Sequence, residues 1–220
     1  MKTVVITGSA RGFGLAMLKD FRKNNCNVVV CDINEKEIKN AVKELKEISS
    51  KAKILSFKAD ITKEKDVSEL IASTIKETKT IDIWINNAGV NQEMIPIWSL
   101  DMKTINRLID IDLKGTILCS KLVNEVMIKQ RYGQIFNVEG FGSDNAKRLG
   151  LSIYGTAKRA LTYFTESLAY ENKIKETGVL VTCYKDNIAS ERVILKNGGE
   201  FEKTIEHEGG FYKRYWITIK

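Results

Sequence analysis

Residues Thr7–Gly14 have the sequence TGSARGFG, and they stand between the apolar run Val4–Ile6 and an amphipathic segment that extends to Asn24. This order predicts a buried strand, a glycine-rich turn and a helix. Glycine permits positive φ and lets the backbone approach a ligand closely. The helix after the turn directs free N–H groups and the positive end of its dipole toward the turn. Such a turn can simply join a strand to a helix, or it can bind a pyrophosphate.

The context of the turn favours a dinucleotide site. Asn27–Asp32 is a second apolar run that ends in a carboxylate about 20 residues after the turn, the spacing of a dinucleotide fingerprint. At the end of a second strand, Asp32 can accept hydrogen bonds from both ribose hydroxyls, and it repels a 2′-phosphate, so it favours NAD. Arg11 in the turn favours NADP, because a guanidinium can pair with that phosphate. We expect NAD, with NADP as the alternative.

Composition predicts one ordinary globular domain. The chain has 220 residues, of which 43% are hydrophobic and 29% charged, and its apolar runs are no longer than strands, so we expect no membrane span. Its start leads directly into a strand, so we expect no secretory signal. The four cysteines, Cys26, Cys31, Cys119 and Cys183, are scattered. They indicate reduced cytoplasmic thiols rather than a disulfide or metal framework.

The net charge of +7 raises the possibility of nucleic-acid binding. The lysines are mixed with glutamates, as in Lys43–Glu47, which is typical of a solvated helix surface. No basic patch is interleaved with aromatic residues. We therefore expect no nucleic-acid partner. We also expect no metal site, because the single histidine, His207, lies in a charged stretch without further ligands.

Strand-sized apolar runs alternate with helix-length segments along the chain. The predicted strands are Val4–Ile6, Asn27–Asp32, Ile54–Phe57, Ile81–Asn87, Gly133–Val138, Val179–Cys183 and Tyr215–Ile219. Predicted helices cover residues up to 24, 34–50, 62–78, 101–130 and 152–175. Alternation of this kind predicts an α/β fold, a Rossmann-like doubly wound parallel sheet of about seven strands with helices on both faces. Residues 185–213 have no clear pattern and are expected to form a short substrate loop.

Tyr154 and Lys158 are four residues apart on a predicted helix and therefore share one face. An ammonium beside a phenol favours the phenolate and lowers its pKa from about 10. The phenol can then protonate a carbonyl that receives hydride, or deprotonate an alcohol that loses it. The pair can also be a surface tyrosine over a lysine, but its position after the fifth strand and a glycine-rich loop favours catalysis.

Together these segments resemble the short-chain dehydrogenase/reductase family across about residues 1–184. The matching pieces are residues 7–14, 60–62, 86–89, 112–115 and 154–158. The resemblance implies an NAD(P)-dependent oxidoreductase, with Tyr154 as the acid/base and Lys158 as the residue that binds the nicotinamide ribose and tunes Tyr154. The cofactor-binding residues it implies, together with the turn, are Gly8, Ser9, Arg11, Gly12, Phe13, Gly14, Asp32, Asp60, Ile61, Asn87, Ala88, Gly89, Tyr154 and Lys158. It also implies a homodimer or homotetramer built on the long helices.

Three positions depart from the family pattern. Asp112 stands where the family has an asparagine that helps to hold a relay water. Glu139 and Gly140 stand where it has a serine that orients the substrate carbonyl, so Ser143 is the nearest replacement and Ser152 a second candidate. After the sixth strand, residues 185–190 stand where the family usually has Pro-Gly, and the segment that follows is short where the family has a longer lid. We expect that the pocket is open, that a partner subunit completes it, or that turnover is weak. The segment 137–143 is similar to a variant in relatives of the chlorophyll b reductases, from which we infer no substrate.

Two functions stay open at this point. The first is an oxidoreductase acting on a small carbonyl or alcohol, in which Tyr154 transfers the proton, Lys158 tunes it and Ser143 polarises the carbonyl. The second is a catalytically degenerate sensor or scaffold that binds a dinucleotide, which the three departures would explain.

Overall fold

The computed structural model describes residues 1–172, 179–184, 186, 191, 194–196, 199–207 and 210–217. They group into two compact units: residues 1–88 with 115–135, and residues 89–114 with 136–220. The strands are β1 Thr3–Thr7, β2 Asn27–Asp32, β3 Ile54–Lys58, β4 Ile83–Asn86, β5 Gln134–Asn137, β6 Val179–Tyr184, β7 Gly199–His207 and β8 Gly210–Ile217. The α-helices are α1 Gly12–Lys23, α2 Glu35–Lys46, α3 Glu64–Thr78, α4 Met102–Leu108, α5 Thr116–Gln130 and α6 Ser152–Asn172.

The main sheet has five strands in the order β3-β2-β1-β4-β5. The pairs β1-β2, β1-β4 and β2-β3 are parallel, which confirms the α/β class with helices between the strands. Strands buried on both faces need continuous apolar runs, and Val4–Ile6 and Val28–Cys31 are fully buried. The strand order reverses between β1 and β4, where open α/β sheets bind their ligands.

Helices of the first unit form where the sequence supplies amphipathic spacing and clear ends. In α2, Asn34 caps the N-terminus by accepting hydrogen bonds from the backbone N–H groups of Lys36 and Glu37. The buried face of α3 carries Val67, Leu70 and Ile71, which are three to four residues apart. Its C-terminus is closed by Lys79 in a left-handed conformation.

The predicted helix over residues 101–130 is present but has a π-helical segment, Ile109–Gly115, between α4 and α5. Asp101 caps α4 by accepting a hydrogen bond from the backbone N–H of Thr104. A π-helical turn is rare and often marks a functional site. This one contains Asp112, whose side chain is fully buried in the second unit.

The expected seven-stranded parallel sheet is wrong in its strand count. Of the residues that the structure describes, β6, β8 and β7 form a separate antiparallel sheet in that order. The expected short loop at 185–213 instead contains β7 and the start of β8. The signal that would have predicted β7 is the short alternation of polar and apolar residues in Gly199–His207. Such alternation is typical of an antiparallel strand, because only one of its two faces has to be apolar.

Parts of other predictions lie outside the described residues. They are the end of the predicted helix at 173–175, most of the segment at 185–190 and the end of the predicted last strand at 218–219. Among the helices that the structure does describe, none has the length and hydropathy required to cross a bilayer.

Candidate functional site

In the first unit, the turn between β1 and α1 is packed too closely for side chains at two glycines. Gly8 has φ +60°, and a Cβ there would lie 2.7 Å from the Cα of Ala88. A Cβ on Gly14 would lie 2.7 Å from Nδ2 of Asn87 and 2.8 Å from the carbonyl oxygen of Gly8. The end of β4 is therefore pressed directly against the turn.

Neutral side chains hold this arrangement through backbone groups. Asn87 donates from Nδ2 to the carbonyl oxygens of Thr7 (3.0 Å) and Gly8 (2.9 Å). The hydroxyl of Thr7 accepts from the backbone N–H groups of Asn87 and Ala88, each at 3.1 Å. Ser9 is buried, donates from Oγ to the carbonyl of Ile6 (2.6 Å) and accepts from the N–H of Cys31 (3.1 Å). Thr7, Ser9 and Asn87 thus shape the turn.

The N-terminus of α1 has the properties of an anion site. Arg11 occupies the N-cap position without a side-chain hydrogen bond, and the first turn of α1 contains no acidic residue. At Gly12, with φ +55°, no described atom lies within 4 Å of the position of a Cβ. Uncapped N–H groups beside open space suit a phosphate. By contrast, α2 begins with its own cap and two glutamates. The turn therefore fits the pyrophosphate of a dinucleotide.

Asp32 and Asp60 lie at the ends of β2 and β3, as predicted, and both bind nearby backbone. Asp32 accepts from the N–H groups of Ala10 (3.4 Å) and Asn34 (3.1 Å). Asp60 accepts from the N–H (3.0 Å) and hydroxyl (2.7 Å) of Thr62. Burial opposes ionisation of Asp60, but these hydrogen bonds and Lys63 outweigh it and lower the pKa of the carboxyl.

In the second unit, Tyr154 and Lys158 are one turn apart on α6. The Lys158 ammonium lies 5.6 Å from the centroid of the Tyr154 ring, within the range of a cation–π contact. Lys158 is only 5% exposed and donates from Nζ to the carbonyl oxygen of Val138 at 3.1 Å. The predicted pair therefore consists of a buried lysine and a half-buried tyrosine, and it is not a surface contact.

Asp112 is paired with this lysine directly. Its Oδ1 lies 3.6 Å from Nζ of Lys158, and both its carboxylate oxygens accept from the N–H of Val90 at 3.3 Å. Burial raises the pKa of Asp112, against the opposing effects of Lys158 and Val90. Burial lowers the pKa of Lys158, against the opposing charge of Asp112. A Cβ on Gly89 would lie 2.6 Å from Asp112 Oδ1, so the pair needs a glycine beside it.

The two residues in place of the expected serine have different surroundings. Glu139 accepts a hydrogen bond from the hydroxyl of Thr162 at 3.0 Å. Burial raises the pKa of Glu139, and Glu166 adds to that effect, while Thr162, Arg159 and Lys158 oppose it. A Cβ on Gly140 would overlap the hydroxyl oxygen of Tyr154. Glycine at 140 therefore makes the space that the Tyr154 hydroxyl occupies.

Ser143, the predicted substitute for that serine, is 2% exposed. Its hydroxyl accepts from the N–H of Gly140 (3.2 Å) and donates to the carbonyl of Lys158 (3.4 Å). The carbonyl of Ser143 in turn accepts from the guanidinium of Arg159 at 2.9 Å. Ser143 thus connects the loop to α6, and its catalytic role stays a prediction. The second candidate, Ser152, begins α6.

The structure brings the predicted residues together as two sets. In the first unit the turn residues, Asn87 and Ala88 surround the start of α1, where Phe13 is half-buried, while Ile61 is buried beside Asp60. In the second unit Tyr154, Lys158, Ser143 and Gly89 lie around Asp112 and Gly140.

Sequence reasoning missed Gln92, a buried residue whose Oε1 accepts from the N–H of Tyr154 at 2.9 Å. Its position just after the NNAG segment was the available signal.

Comparisons with known proteins agree with this arrangement. The family model described as short chain dehydrogenase matches residues 2–186. A chloroplastic chlorophyll(ide) b reductase of Arabidopsis thaliana is 35% identical over 175 residues, which cover 79% of this chain and 50% of that protein. An uncharacterized oxidoreductase of Bacillus subtilis (strain 168) is 35% identical over 218 residues, 99% of this chain and 77% of that protein. The chain spans about half the length, or less, of the first curated relatives it matches.

Solved structures share the fold. A 7α-hydroxysteroid dehydrogenase in complex with NADH and 7-oxo glycochenodeoxycholic acid has a TM-score of 0.74 at 25% identity, covering 81% of this chain and 68% of that one. An NAD+-bound xylitol dehydrogenase has a TM-score of 0.76 at 22% identity, with 89% of this chain and 76% of that one covered. The second likeness is one of fold alone.

Proposed function

Since the chain belongs to the short-chain dehydrogenase family, we propose that it is an NAD(P)-dependent oxidoreductase that interconverts a small carbonyl compound and its alcohol. The observation that carries this proposal is the buried Lys158 ammonium, which lies beside the Tyr154 ring and is paired with Asp112. Removing a charged lysine from water costs free energy. A buried ammonium at this position therefore indicates a functional role.

The first unit would bind the dinucleotide at the turn. Its uncapped helix start and the open space at Gly12 suit a pyrophosphate. When bound, the nicotinamide ring supplies or accepts the hydride. The remaining chemistry, which is proton transfer and charge stabilisation, would come from side chains of the chain itself.

Tyr154 would transfer the proton at its hydroxyl oxygen. In reduction the O–H bond breaks and the proton passes to the carbonyl oxygen of the substrate as hydride reaches the carbon. In oxidation both transfers reverse. The nearby ammonium of Lys158 stabilises the phenolate that remains, because opposite charges at short range favour the ionised form.

Asp112 would keep Lys158 charged. Burial lowers the lysine pKa, and the carboxylate at 3.6 Å opposes that shift. The family resemblance implies that an asparagine here holds a water, whereas Asp112 forms an ion pair with the lysine. We therefore assign it a positioning role through charge.

The proposed cofactor is NAD rather than NADP. Asp32 ends β2, and its carboxylate accepts from the N–H of Ala10 in the turn and from the N–H of Asn34 just after the strand. A negative charge there disfavours a 2′-phosphate. Arg11 is exposed in the same turn, so the competing preference for NADP is tested in the experiment below.

Binding and turnover test the proposal together. Calorimetry with NAD+, NADH, NADP+ and NADPH should give heat, with NAD(H) bound more tightly. Reduction of a panel of ketones and aldehydes, followed through NADH absorbance, should identify turnover. Tyr154→Phe should lower kcat by about 10³-fold or more while dinucleotide affinity changes little.

A matched control is Tyr163→Phe on the same helix, where the side chain is 75% exposed and activity should persist. Retained activity in Tyr154→Phe would refute the proton-transfer role. Absence of heat with all four nucleotides would refute the proposed function. Tight dinucleotide binding without turnover on any carbonyl would favour the degenerate sensor or scaffold, which the names of the relatives do not favour.

Three further properties belong to the proposal. The 220 residues would act as one domain. A homodimer or homotetramer built on the long helices is what the family resemblance implies, and sedimentation would test it. A cytoplasmic location is supported by free thiols at Cys26, Cys31 and Cys119, although the plant relatives are chloroplastic.

A further inference from the structure

Gln92 carries an unpaired donor in the second unit. The residue is 6% exposed, and within the described part of the chain its Nε2 has no hydrogen-bond partner. An unpaired buried N–H group destabilises a folded protein, because it loses its hydrogen bond to water and gains none in return. Native structures seldom keep such a group without a functional reason.

The other end of the same side chain is fixed. Oε1 of Gln92 accepts from the backbone N–H of Tyr154 at 2.9 Å, which is the third residue of α6. The carboxamide is planar and rigid, so Nε2 is held at the first turn of α6, on the backbone of the proposed acid/base residue.

The loop that carries Gln92 is held at a second point. A Cβ on Gly150 would overlap the backbone of Met94 and would lie 2.7 Å from the backbone nitrogen of Ile95. The chain on both sides of the α6 start therefore packs against residues 92–95. The unpaired amide is a fixed feature and not the end of a free side chain.

Other candidates for a donor to substrate, around Tyr154 and Lys158, are already engaged. The Ser143 hydroxyl bonds Gly140 and the carbonyl of Lys158. Glu139 binds Thr162 and, when ionised, has no proton to donate. Gly140 has no side chain. Among these residues and Gln92, only Gln92 Nε2 presents a buried donor without a partner.

We propose that Gln92 Nε2 donates a hydrogen bond to an oxygen of the bound substrate, beside Tyr154. This assignment rests on the proposed oxidoreductase function and deepens it. The substrate class is a carbonyl compound with an oxygen acceptor that reaches the first turn of α6. A substrate with only hydrocarbon at this point would leave Nε2 of Gln92 without a hydrogen-bond partner. Gln92 therefore favours substrates that carry an oxygen there.

The test uses Gln92→Glu, which keeps an oxygen acceptor for the N–H of Tyr154 and removes the N–H donor. Gln130→Glu is the matched control, because both amide atoms of Gln130 already bond the backbone of Ile81. The probes are cyclohexanone and levodione, added to 15N-labelled protein saturated with NAD+, so that the ketone binds without being reduced.

The side-chain NH2 signals of Gln92, identified by their loss in Gln92→Glu, should move on addition of ketone, while those of Gln130 stay in place. Ketone affinity should fall about tenfold in Gln92→Glu and stay unchanged in Gln130→Glu. An unmoved Gln92 signal with both saturating ketones, or unchanged ketone affinity in Gln92→Glu, overturns the assignment.

The proposed oxidoreductase function and the proposed role of Gln92 can be refuted independently. Movement of the backbone signals of residues 8–14 on addition of NAD+ reports the dinucleotide site, whatever Gln92 does. A response at the turn without one at Gln92 overturns only the assignment of Gln92. A response at neither place overturns both proposals.

Discussion

Around the glycine turn, buried polar side chains are neutral and bond backbone groups, whereas around Tyr154 several are charged and bond one another. The buried Thr7 and Ser9, together with the half-buried Asn87, direct their hydrogen bonds to main-chain atoms of the first unit. In the second unit, Lys158 faces Asp112 at 3.6 Å and Glu139 binds the side chain of Thr162.

The hydrogen bonds at the turn fix its shape, whereas the charged groups around Tyr154 bear on the proposed proton chemistry. Neutral hydrogen bonds to backbone fix a turn and contribute about 1 kcal/mol each. Buried charges are costly to desolvate, and they respond to pH and to the loss of a partner. Changes at the turn should therefore act on stability and dinucleotide affinity, and changes around Tyr154 on turnover and its pH dependence.

The largest effect on stability is expected at Gly8. In Gly8→Ala, the Cβ meets the Cα of Ala88 while φ stays positive, so the free energy of unfolding should fall by about 4 kcal/mol. Gly12→Ala, which has a similar φ but open space, should lose only about 1 kcal/mol. Urea unfolding measures both. Equal losses in the two variants would contradict the close packing of β4 on the turn.

A smaller loss is expected at Asp112. In Asp112→Asn the buried lysine loses its counter-charge, and the free energy of unfolding near pH 7 should fall by about 3 kcal/mol. Without Asp112 the pKa of Lys158 should fall further, because the carboxylate opposes the lowering caused by burial. If turnover needs charged Lys158, the alkaline limb of the kcat–pH profile should move to lower pH.

The control for this change is Asp110→Asn, on the same π-helical segment. Asp110 pairs with Lys114 at 2.8 Å, where the lysine side chain is 70% exposed and the aspartate side chain 45% exposed. Asp110→Asn should cost less than about 0.5 kcal/mol and leave the pH profile in place. A pH profile in Asp112→Asn that matches the wild type would remove the charge role of Asp112.

The smallest effect is expected at Glu139. Burial raises its pKa in the folded state, so the folded protein binds its proton more tightly than the unfolded chain. Stability from this group is full below the ordinary glutamate pKa of about 4.3 and is lost as pH rises through the folded value. Glu139→Gln should therefore unfold at a higher temperature than the wild type, by about 3 °C, at the alkaline end of a pH series.

The difference in unfolding temperature between Glu139→Gln and the wild type should shrink toward pH 4. The matched change Glu125→Gln, at an exposed residue of α5, should show no such trend with pH. A constant difference between Glu139→Gln and the wild type across the series would show that the pKa of Glu139 is the same in the folded and unfolded states.

The fold was largely predictable because its signals are local. Apolar runs of strand length alternate with amphipathic segments, and the strands β1–β5 and their helices follow from them. The prediction failed from β6 onward, because β6, β8 and β7 form a separate antiparallel sheet. Pairing partners in a sheet depend on contacts between distant residues, and short alternating strands carry only a weak local pattern.

The candidate site divides in the same way. Sequence by itself determined the glycine turn, the carboxylate at the end of β2 and the Tyr154–Lys158 spacing, because each follows from backbone conformation or helix periodicity over a few residues. Contacts that exist only in the folded protein placed Asp112 against Lys158, bound the Ser143 hydroxyl to backbone and, within the described residues, left Nε2 of Gln92 without a hydrogen-bond partner. Burial and hydrogen bonding between segments far apart in the chain decide these features, and no local pattern of residues encodes them.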